Sequence, residues 1–198
     1  MAGPAGLRGA PPSCVDGLRL LSPLLDPEQA DRIMAELVAE TPWEAHSFTI
    51  FGRTVPMPRL IQMYGPHGYR YSGLSHPPRP LGPRLEALRQ QVQGATGLAF
   101  NSVLLNLYRS GQDSMGWHRD DDYPHGGQPA VASLSLGATR RFRLRPCGGG
   151  EGVALDLESG SLLLLSGEAL TGWQHALPRT ARPVGPRLNL TWRQMEGA

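Results

Sequence analysis

The feature that most limits the fold of this chain is a succession of short strand patterns that begins after Phe100. Each pattern is rich in apolar residues and is followed by a Gly or Pro turn; the predicted strands are 103–108, 131–136, 142–145, 153–157, 161–166, 172–177 and 188–192. Many short strands at this spacing pack as two sheets or close into a barrel. The sequence therefore predicts a mainly β sandwich or jelly roll.

Two helices are predicted before this β-rich part. Asp26 has the position of an N-cap, with Pro27 and Gln29 after it, and an apolar stripe continues to about Glu40. A second stripe, formed by Leu81, Leu85, Leu88 and Val92, ends near Gly94 and Gly97. The predicted class is mainly β with N-terminal helices.

A hairpin is predicted near residues 47–73. Strand patterns at 47–51 and 60–64 are each followed by glycine, and Ile50, Phe51 and Gly52 would form an apolar tip. Such a tip is either a core anchor or a wedge that enters a base stack. Residues 1–13, rich in Gly, Pro and Ala, are predicted to form a flexible leader, and 14–198 a single domain.

Composition limits the cellular setting. The chain has 198 residues, a formal charge of +2 and a pI near 8.8, which permit a polyanionic partner without requiring one. Cys14 and Cys147 form no paired motif, so neither a disulfide framework nor a zinc knuckle is expected. Without a signal peptide or a long apolar run, we expect a protein that is neither secreted nor membrane-spanning, cytoplasmic in a bacterium or nuclear in a eukaryote.

The first sign of chemistry is the segment Trp117–Asp122. In an extended strand residues i and i+2 point to the same face, so His118 and Asp120 would converge on one metal ion. Two histidines and one carboxylate are the usual ligands of non-haem Fe(II), with coordination positions left open for substrate and oxygen. The alternative is a surface turn with a solvated acidic run.

A third ligand must come from elsewhere, and His175 is the best candidate because it lies in a late strand pattern of the β-rich part. The alternative for His175 is a hydrogen-bonded core histidine. His125 follows the acidic turn in a Pro- and Gly-rich loop, where it is either solvated or a substrate contact.

The last strand pattern carries an unusual polar face. Period two places Leu188, Leu190 and Trp192 on one face and four polar residues on the other, namely Arg187, Asn189, Thr191 and Arg193. Two guanidinium groups on one inward face require anions, and a dicarboxylate between them would satisfy both through bidentate hydrogen bonds. The alternative is an edge strand with a solvated face.

Taken in chain order, these motifs resemble the AlkB family of Fe(II)/2-oxoglutarate-dependent nucleic-acid dealkylases. The resemblance rests on Asn106-x-Tyr108, His118-x-Asp120, His175 and Arg187-x-Asn189-x-x-x-Arg193, and extends from about Phe48 to Arg193. It also includes Pro58-Arg59-Leu60 and Gly137-Ala138-Thr139-Arg140, and it is strongest for the branch that repairs alkylated DNA.

The resemblance implies a double-stranded β-helix (jelly-roll) core over about residues 100–193, with Fe(II), 2-oxoglutarate and O2 as cofactor and co-substrates. By position, His118, Asp120 and His175 would be the iron ligands. The implied contacts to 2-oxoglutarate are Asn106, Tyr108, Arg187, Asn189 and Arg193.

On the substrate side, the resemblance implies a nucleotide-recognition hairpin over about 47–73, with Phe51 at its tip. Tyr71 and Trp173 are the candidates for aromatic walls around a flipped base, and Arg59 lies in a matching motif. Asp122 has the place of an acidic residue that is Glu in some relatives, so base selectivity is not defined by the motif. Its charge would favour cationic 1-methyladenine and 3-methylcytosine.

The function expected from this resemblance is oxidative demethylation of N-alkylated bases in DNA, single- or double-stranded, with RNA as a further candidate, by a monomer that releases formaldehyde, succinate and CO2. Two alternatives remain at this point: the same chemistry on a protein or small molecule, and a catalytically silent nucleic-acid-binding relative. The Arg141, Arg143 and Arg145 face is either a track for phosphates or a solvated surface.

Overall fold

The chain forms two antiparallel sheets with helices on one side. The computed structural model describes residues 15–50, 53–67, 69–71, 74–120 and 129–196. Their helices are α1 (Pro27–Glu40), α2 (Pro83–Thr96) and α3 (Gly167–Thr171). Their strands are β1 (Leu18–Leu21), β2 (Ser47–Ile50), β3 (Arg53–Pro56), β4 (Leu60–Tyr64), β5 (Tyr69–Tyr71), β6 (Leu74–His76), β7 (Ser102–Tyr108), β8 (Met115–His118), β9 (Ala130–Gly137), β10 (Arg140–Pro146), β11 (Val153–Leu157), β12 (Leu162–Ser166), β13 (Trp173–Leu177) and β14 (Arg187–Arg193).

Both predicted N-terminal helices are confirmed, together with the residues that end them. The Asp26 side chain accepts a hydrogen bond from the Gln29 amide at 2.8 Å, and α1 ends at Glu40. Helix α2 ends at Thr96 and is capped by Gly97, whose φ of 74° is left-handed. Both helices bury their apolar stripes against the larger sheet.

The larger sheet has six strands in the order β1-β12-β9-β14-β7-β4. Its central strand, β14, pairs along its whole length with β9 and with β7, so the edge-strand alternative for this segment is wrong. One face of β14 carries Leu188, Leu190 and Trp192 into the main core beneath the helices. The other face turns toward the second sheet.

The smaller sheet has four strands in the order β11-β10-β13-β8. It packs against the larger sheet through an apolar cluster that includes Leu144, Leu155 and Leu157 from its own strands, and Leu163 and Leu165 from β12. The two-layer arrangement confirms the predicted mainly β, jelly-roll class. It leaves a pocket between the sheets beyond the apolar cluster.

The predicted hairpin forms a separate two-stranded sheet outside the two large sheets. Strands β2 and β3 pair from Ser47↔Pro56 to Ile50↔Arg53, and a second small pair joins β5 to β6. The predicted tip residues Phe51 and Gly52 lie outside the described residues. The role of this region in nucleotide recognition remains a prediction, as do the domain bounds.

The sequence prediction named no element at β1, β5, β6 or α3, and it expected β8 only as part of an extended Trp117–Asp122 segment. Strand β1 pairs with β12 at the sheet edge, but its sequence, Leu-Arg-Leu-Leu, is too short for a clear alternation. Strand β8 contains a glycine and an exposed tryptophan, and α3 is a single turn. Among the described residues, no helix is long and apolar enough to cross a membrane.

One glycine lies where helix α1 packs closely against the larger sheet. Gly137 is the last residue of β9 and has a φ of 81°, and a Cβ atom there would lie 2.6 Å from the Pro186 carbonyl oxygen and 2.5 Å from Met34 Sδ. A side chain at this position is therefore disfavoured both by the left-handed backbone and by a collision with backbone.

We predict that Gly137→Ala lowers the free energy of unfolding by about 2 to 4 kcal/mol, the sum of left-handed strain and overpacking. Chemical denaturation checks this value. The matched control is Gly185→Ala, because a Cβ at Gly185 meets nothing within 4 Å and its φ is not left-handed. Its effect should stay within about 0.5 kcal/mol. Equal stability of the two variants would contradict the packing argument.

Candidate active site

Three potential metal ligands meet in one pocket between the sheets. His118, Asp120 and His175 each offer one atom, and these atoms all lie within 4.8 Å of one another. His118 ends β8 and is the cross-strand partner of His175 on β13, with ring centroids 4.2 Å apart. Neighbouring antiparallel strands thus bring together two histidines that are far apart in the sequence.

Asp120 reaches the site by a different route from the one predicted. Strand β8 ends at His118, and Asp120 lies in a bend rather than two positions along an extended strand. The strand geometry expected for this pair is therefore wrong at Asp120, although the convergence on one point is confirmed. His175 Nε2 lies 3.6 Å from Asp120 Oδ2, and His118 Nε2 lies 4.0 Å from Oδ1.

The hydrogen bonds of His118 determine which nitrogen can bind a metal. Its Nδ1 lies 2.9 Å from the Gly116 carbonyl oxygen. A carbonyl oxygen can only accept, so Nδ1 carries the proton and Nε2 presents a lone pair. This Nε2 faces Asp120, on the side where the three ligand atoms converge.

The protonation states also suit a divalent metal. Burial lowers the pKa of His118, and burial lowers that of His175 to about 4, so both imidazoles are neutral at neutral pH. Burial would raise the pKa of Asp120, but Arg193, His175 and His118 offset this effect and lower it to about 2. The site presents two neutral imidazoles and one carboxylate, the donor set that non-haem Fe(II) requires.

Arg193 connects the ligand carboxylate to the larger sheet. It is 2% exposed, and its Nη2 donates to Asp120 Oδ1 at 3.0 Å. This charge-assisted bond uses one carboxylate oxygen and leaves Oδ2 directed toward His175. Arg193 therefore both keeps Asp120 ionised and sets its orientation.

At the other end of the polar face, Arg187 is a second buried cation. It is 2% exposed, donates from Nη2 to Ser135 Oγ at 2.9 Å, and lies over the Tyr108 ring at 5.4 Å. Its Nε has no hydrogen-bond partner among the described residues. Burial lowers the pKa of Arg187 to about 10, so it remains charged at neutral pH. A buried guanidinium with unused donor capacity suits the carboxylate of a ligand.

Two asparagines lie between these ends and are held by their neighbours. Asn189 donates from Nδ2 to Ser133 Oγ at 2.7 Å and accepts from Thr191 Oγ1. Asn106, its cross-strand partner on β7, accepts from Arg59 Nε at 2.8 Å. The predicted 2-oxoglutarate contacts Asn106, Tyr108, Arg187, Asn189 and Arg193 therefore all line one pocket.

The remaining pocket wall was not predicted in full. Phe142 lies near the His175 ring, with centroids 5.2 Å apart, and the other additional lining residues are Leu104, Met115, Val131, Ser133, Leu165, Leu177 and Thr191. Ser133 and Ser135 could have been found from the sequence, because they alternate with Ala132, Leu134 and Leu136 along β9. Small polar residues at every second position of a strand indicate an inward polar face.

The predicted substrate-side residues are less closely grouped. Arg59 lines the pocket but is 4% exposed and already bonded to Asn106. Trp173 packs against the apolar cluster between the sheets rather than in the pocket wall. Phe51 and Asp122 lie outside the described residues, and Tyr71 is described only as part of β5. Their roles remain predictions.

The expected metal ion and the expected dicarboxylate co-substrate both suit this pocket. The three ligands lie at one end, and the buried cation Arg187 lies on the same strand face as Arg193, six residues away. A dicarboxylate that chelates the metal at one end can therefore place its other carboxylate at Arg187.

Residues 17–193 of the chain match the model of the 2OG-Fe(II) oxygenase superfamily. It is 37% identical to the human alpha-ketoglutarate-dependent dioxygenase alkB homolog 3, over 92% of this chain and 67% of the relative. It is 38% identical to the DNA oxidative demethylase ALKBH2 of Mus musculus, over 84% of this chain and 75% of the relative.

A solved structure described as that of OsALKBH1 has the same fold, with a TM-score of 0.67 at 20% identity over 90% of this chain and 98% of that chain. At this identity the likeness concerns the fold alone. The chain spans about two thirds of the length of its alkB homolog 3 relatives.

We predict that Ser135→Ala weakens 2-oxoglutarate binding by roughly 10- to 150-fold, because Arg187 loses the bond that orients it and such bonds to charged groups contribute about 1.5 to 3 kcal/mol. Anaerobic titration with Mn(II) in place of Fe(II) measures this affinity. The affinity for Mn(II) alone should not change.

The matched control is Ser161→Ala, since Ser161 is also buried but its hydroxyl donates to the Glu158 carbonyl oxygen away from the pocket. Its 2-oxoglutarate affinity should equal that of the wild type. If both variants bind equally well, Ser135 does not position Arg187.

Proposed function

This chain belongs to the 2OG-Fe(II) oxygenase superfamily and to the AlkB group within it, and on that premise we propose that it removes alkyl groups oxidatively from N-alkylated bases in DNA. The observation that carries the proposal is the single pocket that joins the His118, Asp120 and His175 ligands to the buried cation Arg187. Its relatives include a protein named as a DNA oxidative demethylase.

Fe(II), bound with 2-oxoglutarate and O2, supplies the oxidation of an N-alkyl carbon to its hydroxyl form, with succinate and CO2 as the other products. The N-hydroxymethyl base then loses formaldehyde: the N–C bond breaks, the hydroxyl proton is released, and the ring nitrogen of adenine or cytosine regains its lone pair. The sugar-phosphate backbone stays intact. This sequence of steps is a direct repair of the base.

The chain's own side chains position the reacting groups. His118, Asp120 and His175 would hold the metal, and Arg193 keeps the Asp120 carboxylate ionised and turned toward it. Arg187, with Ser135 and Tyr108 around it, would bind the distal carboxylate of 2-oxoglutarate.

Apolar residues complete the pocket around the reacting carbon. Leu104, Met115 and Phe142 line it close to the ligands, where they would exclude water and strengthen the electrostatic interactions inside. The target atom of a stacked base cannot reach a pocket between two sheets, so the base must be flipped or already single-stranded.

Substrate selection is assigned to the parts outside the pocket. We propose that the β2–β3 hairpin, with Phe51 at its tip, separates the target base from its stack, and that Asp122 favours cationic 1-methyladenine and 3-methylcytosine. RNA is a second candidate substrate. The enzyme would act as a monomer in the nucleus or the cytoplasm.

The experiment that tests the function incubates the protein with Fe(II), ascorbate, 2-oxoglutarate and oligonucleotides that carry 1-methyladenine, 3-methylcytosine or etheno adducts. Mass spectrometry then measures the products. We expect loss of the methyl group, with formaldehyde and succinate formed in equal amounts. Succinate formation without any change in the oligonucleotides would point to a protein or small-molecule substrate instead.

We predict that His118→Ala, Asp120→Ala and His175→Ala each lower demethylation by at least about 100-fold, because each removes a ligand of the metal. Circular dichroism should show that each variant remains folded. Arg32→Gln, an exposed change on α1, is the control and should keep full activity. Full activity of any ligand variant with Fe(II) would contradict the metal assignment.

A separate prediction concerns the hairpin. Phe51→Ala should lower the rate on a lesion in duplex DNA about 10-fold more than on the same lesion in a single strand, because only the duplex requires unstacking, which costs a few kcal/mol. Single-turnover rates on matched oligonucleotides measure the difference. Equal losses on both substrates would exclude the wedge role.

A further inference from the structure

An exposed tryptophan lies on the outer face of the smaller sheet, directly beside the active site. Trp117 is 39% exposed and, with Val55, is one of two exposed large hydrophobic side chains among the described residues. It precedes His118 on β8, where neighbouring residues point to opposite faces. The metal pocket and the Trp117 ring therefore lie on the two faces of one strand.

The orientation of the Trp117 ring is supported by an arginine. The Arg145 guanidinium lies over the ring, with Cζ 4.2 Å from its centroid. Arg145 is itself fixed by two hydrogen bonds, from Nε at 3.1 Å and Nη2 at 2.9 Å, to Gln174 Oε1. An exposed aromatic ring that is preorganised in this way is suited to stacking with another flat group.

The surface next to Trp117 is positively charged. Arg141, Arg143 and Arg145 point outward at every second position of β10, and all three are exposed. Arg141 forms a two-point ion pair with Asp156, at 2.9 Å for each contact. Arg143 forms no ion pair with any described residue.

This charged surface continues into a groove with a volume of about 500 Å³. Its cationic lining residues include Arg179 and Arg182, both exposed and located in the connection before β14. Asp156 is the one carboxylate among its lining residues. A groove with an excess of arginines complements the phosphates of a polynucleotide.

The position of β8 joins this surface to the pocket. In the described residues, β8 is the edge strand of the smaller sheet, paired only with β13. No described strand lies beyond β8, so a chain that leaves the pocket past His118 can cross the sheet edge and meet Trp117. Polynucleotides carry flat bases and regularly spaced phosphates, which match the ring and the arginines in that order.

We propose that Trp117 and Arg145 form an accessory site that stacks an unpaired base next to the lesion, and that Arg143 and the groove bind the phosphates that follow. The occupant is single-stranded DNA of the substrate, so this inference rests on the proposed function. A duplex cannot use this site without unpairing the flanking base. The site would therefore favour single-stranded over duplex substrates.

The test measures binding of an unmodified fluorescent dT15 oligonucleotide by anisotropy, which requires neither metal nor co-substrate. Trp117→Ala should weaken binding by roughly 5- to 100-fold, as expected for loss of one base–aromatic stack. Trp117→Phe should retain most of the affinity. Arg143→Gln should lower the slope of log affinity against log salt by about 0.7, the loss of one phosphate contact on a single strand.

The matched charge control is Arg32→Gln, on α1 at the other side of the larger sheet, which should leave both affinity and salt slope unchanged. Unchanged binding by Trp117→Ala, or an equal loss in Arg32→Gln, would overturn the proposal. A loss that Trp117→Phe shares in full would also overturn it, because stacking would then not be the cause. Demethylation assays separate the accessory site from the proposed function. If the protein removes no alkyl group but still shows these binding differences, only the proposed function is disproved.

Discussion

The structure depends on two guanidinium groups that are buried on one face of the central strand β14. A buried cation costs several kcal/mol in lost hydration unless an anion and hydrogen bonds compensate for it. Arg193 finds that anion in Asp120, a ligand from the opposite sheet. Arg187 has hydroxyl partners but no carboxylate among the described residues. Folding therefore completes one ion pair, and we propose that the dicarboxylate co-substrate would complete the other.

This arrangement divides the work between the two sheets. The larger sheet supplies the cations and the amides that we propose bind the co-substrate, and the helices behind it bury the opposite face of the same strands. The smaller sheet supplies His118 and His175 as cross-strand partners. The Arg193–Asp120 bond connects the two layers at the point where the metal would lie. Binding of the metal and the co-substrate should thus hold the sheets together.

Much of the site could be predicted because strand alternation maps sequence onto faces. The alternation of β14 correctly identified the buried polar face. The order and spacing of the polar motifs resembled those of a known family. Asp120 was assigned to an extended strand, whereas a bend carries it into the site, and no local pattern encodes that bend. Phe142 was missed because its position in the pocket depends on which strands become neighbours, whereas the alternation along β9 was sufficient to indicate Ser135. Strand order is a property of the whole fold.

The reaction of this protein is easier to infer from its sequence than its target is. Apart from Asp120, the residues proposed to hold the metal and the co-substrate lie on strands, whose geometry is repeated at every second position and leaves a signature in the sequence. The pocket between the sheets can admit a base but not the polymer that carries it, so selection among nucleic acids must take place outside. The outer residues Trp117 and Arg145 are suited to this task because they share a strand edge with His118. Trp117 and His118 are consecutive residues of β8 on opposite faces. The metal ligand and the proposed DNA-binding surface are therefore held at a fixed distance without any conformational change.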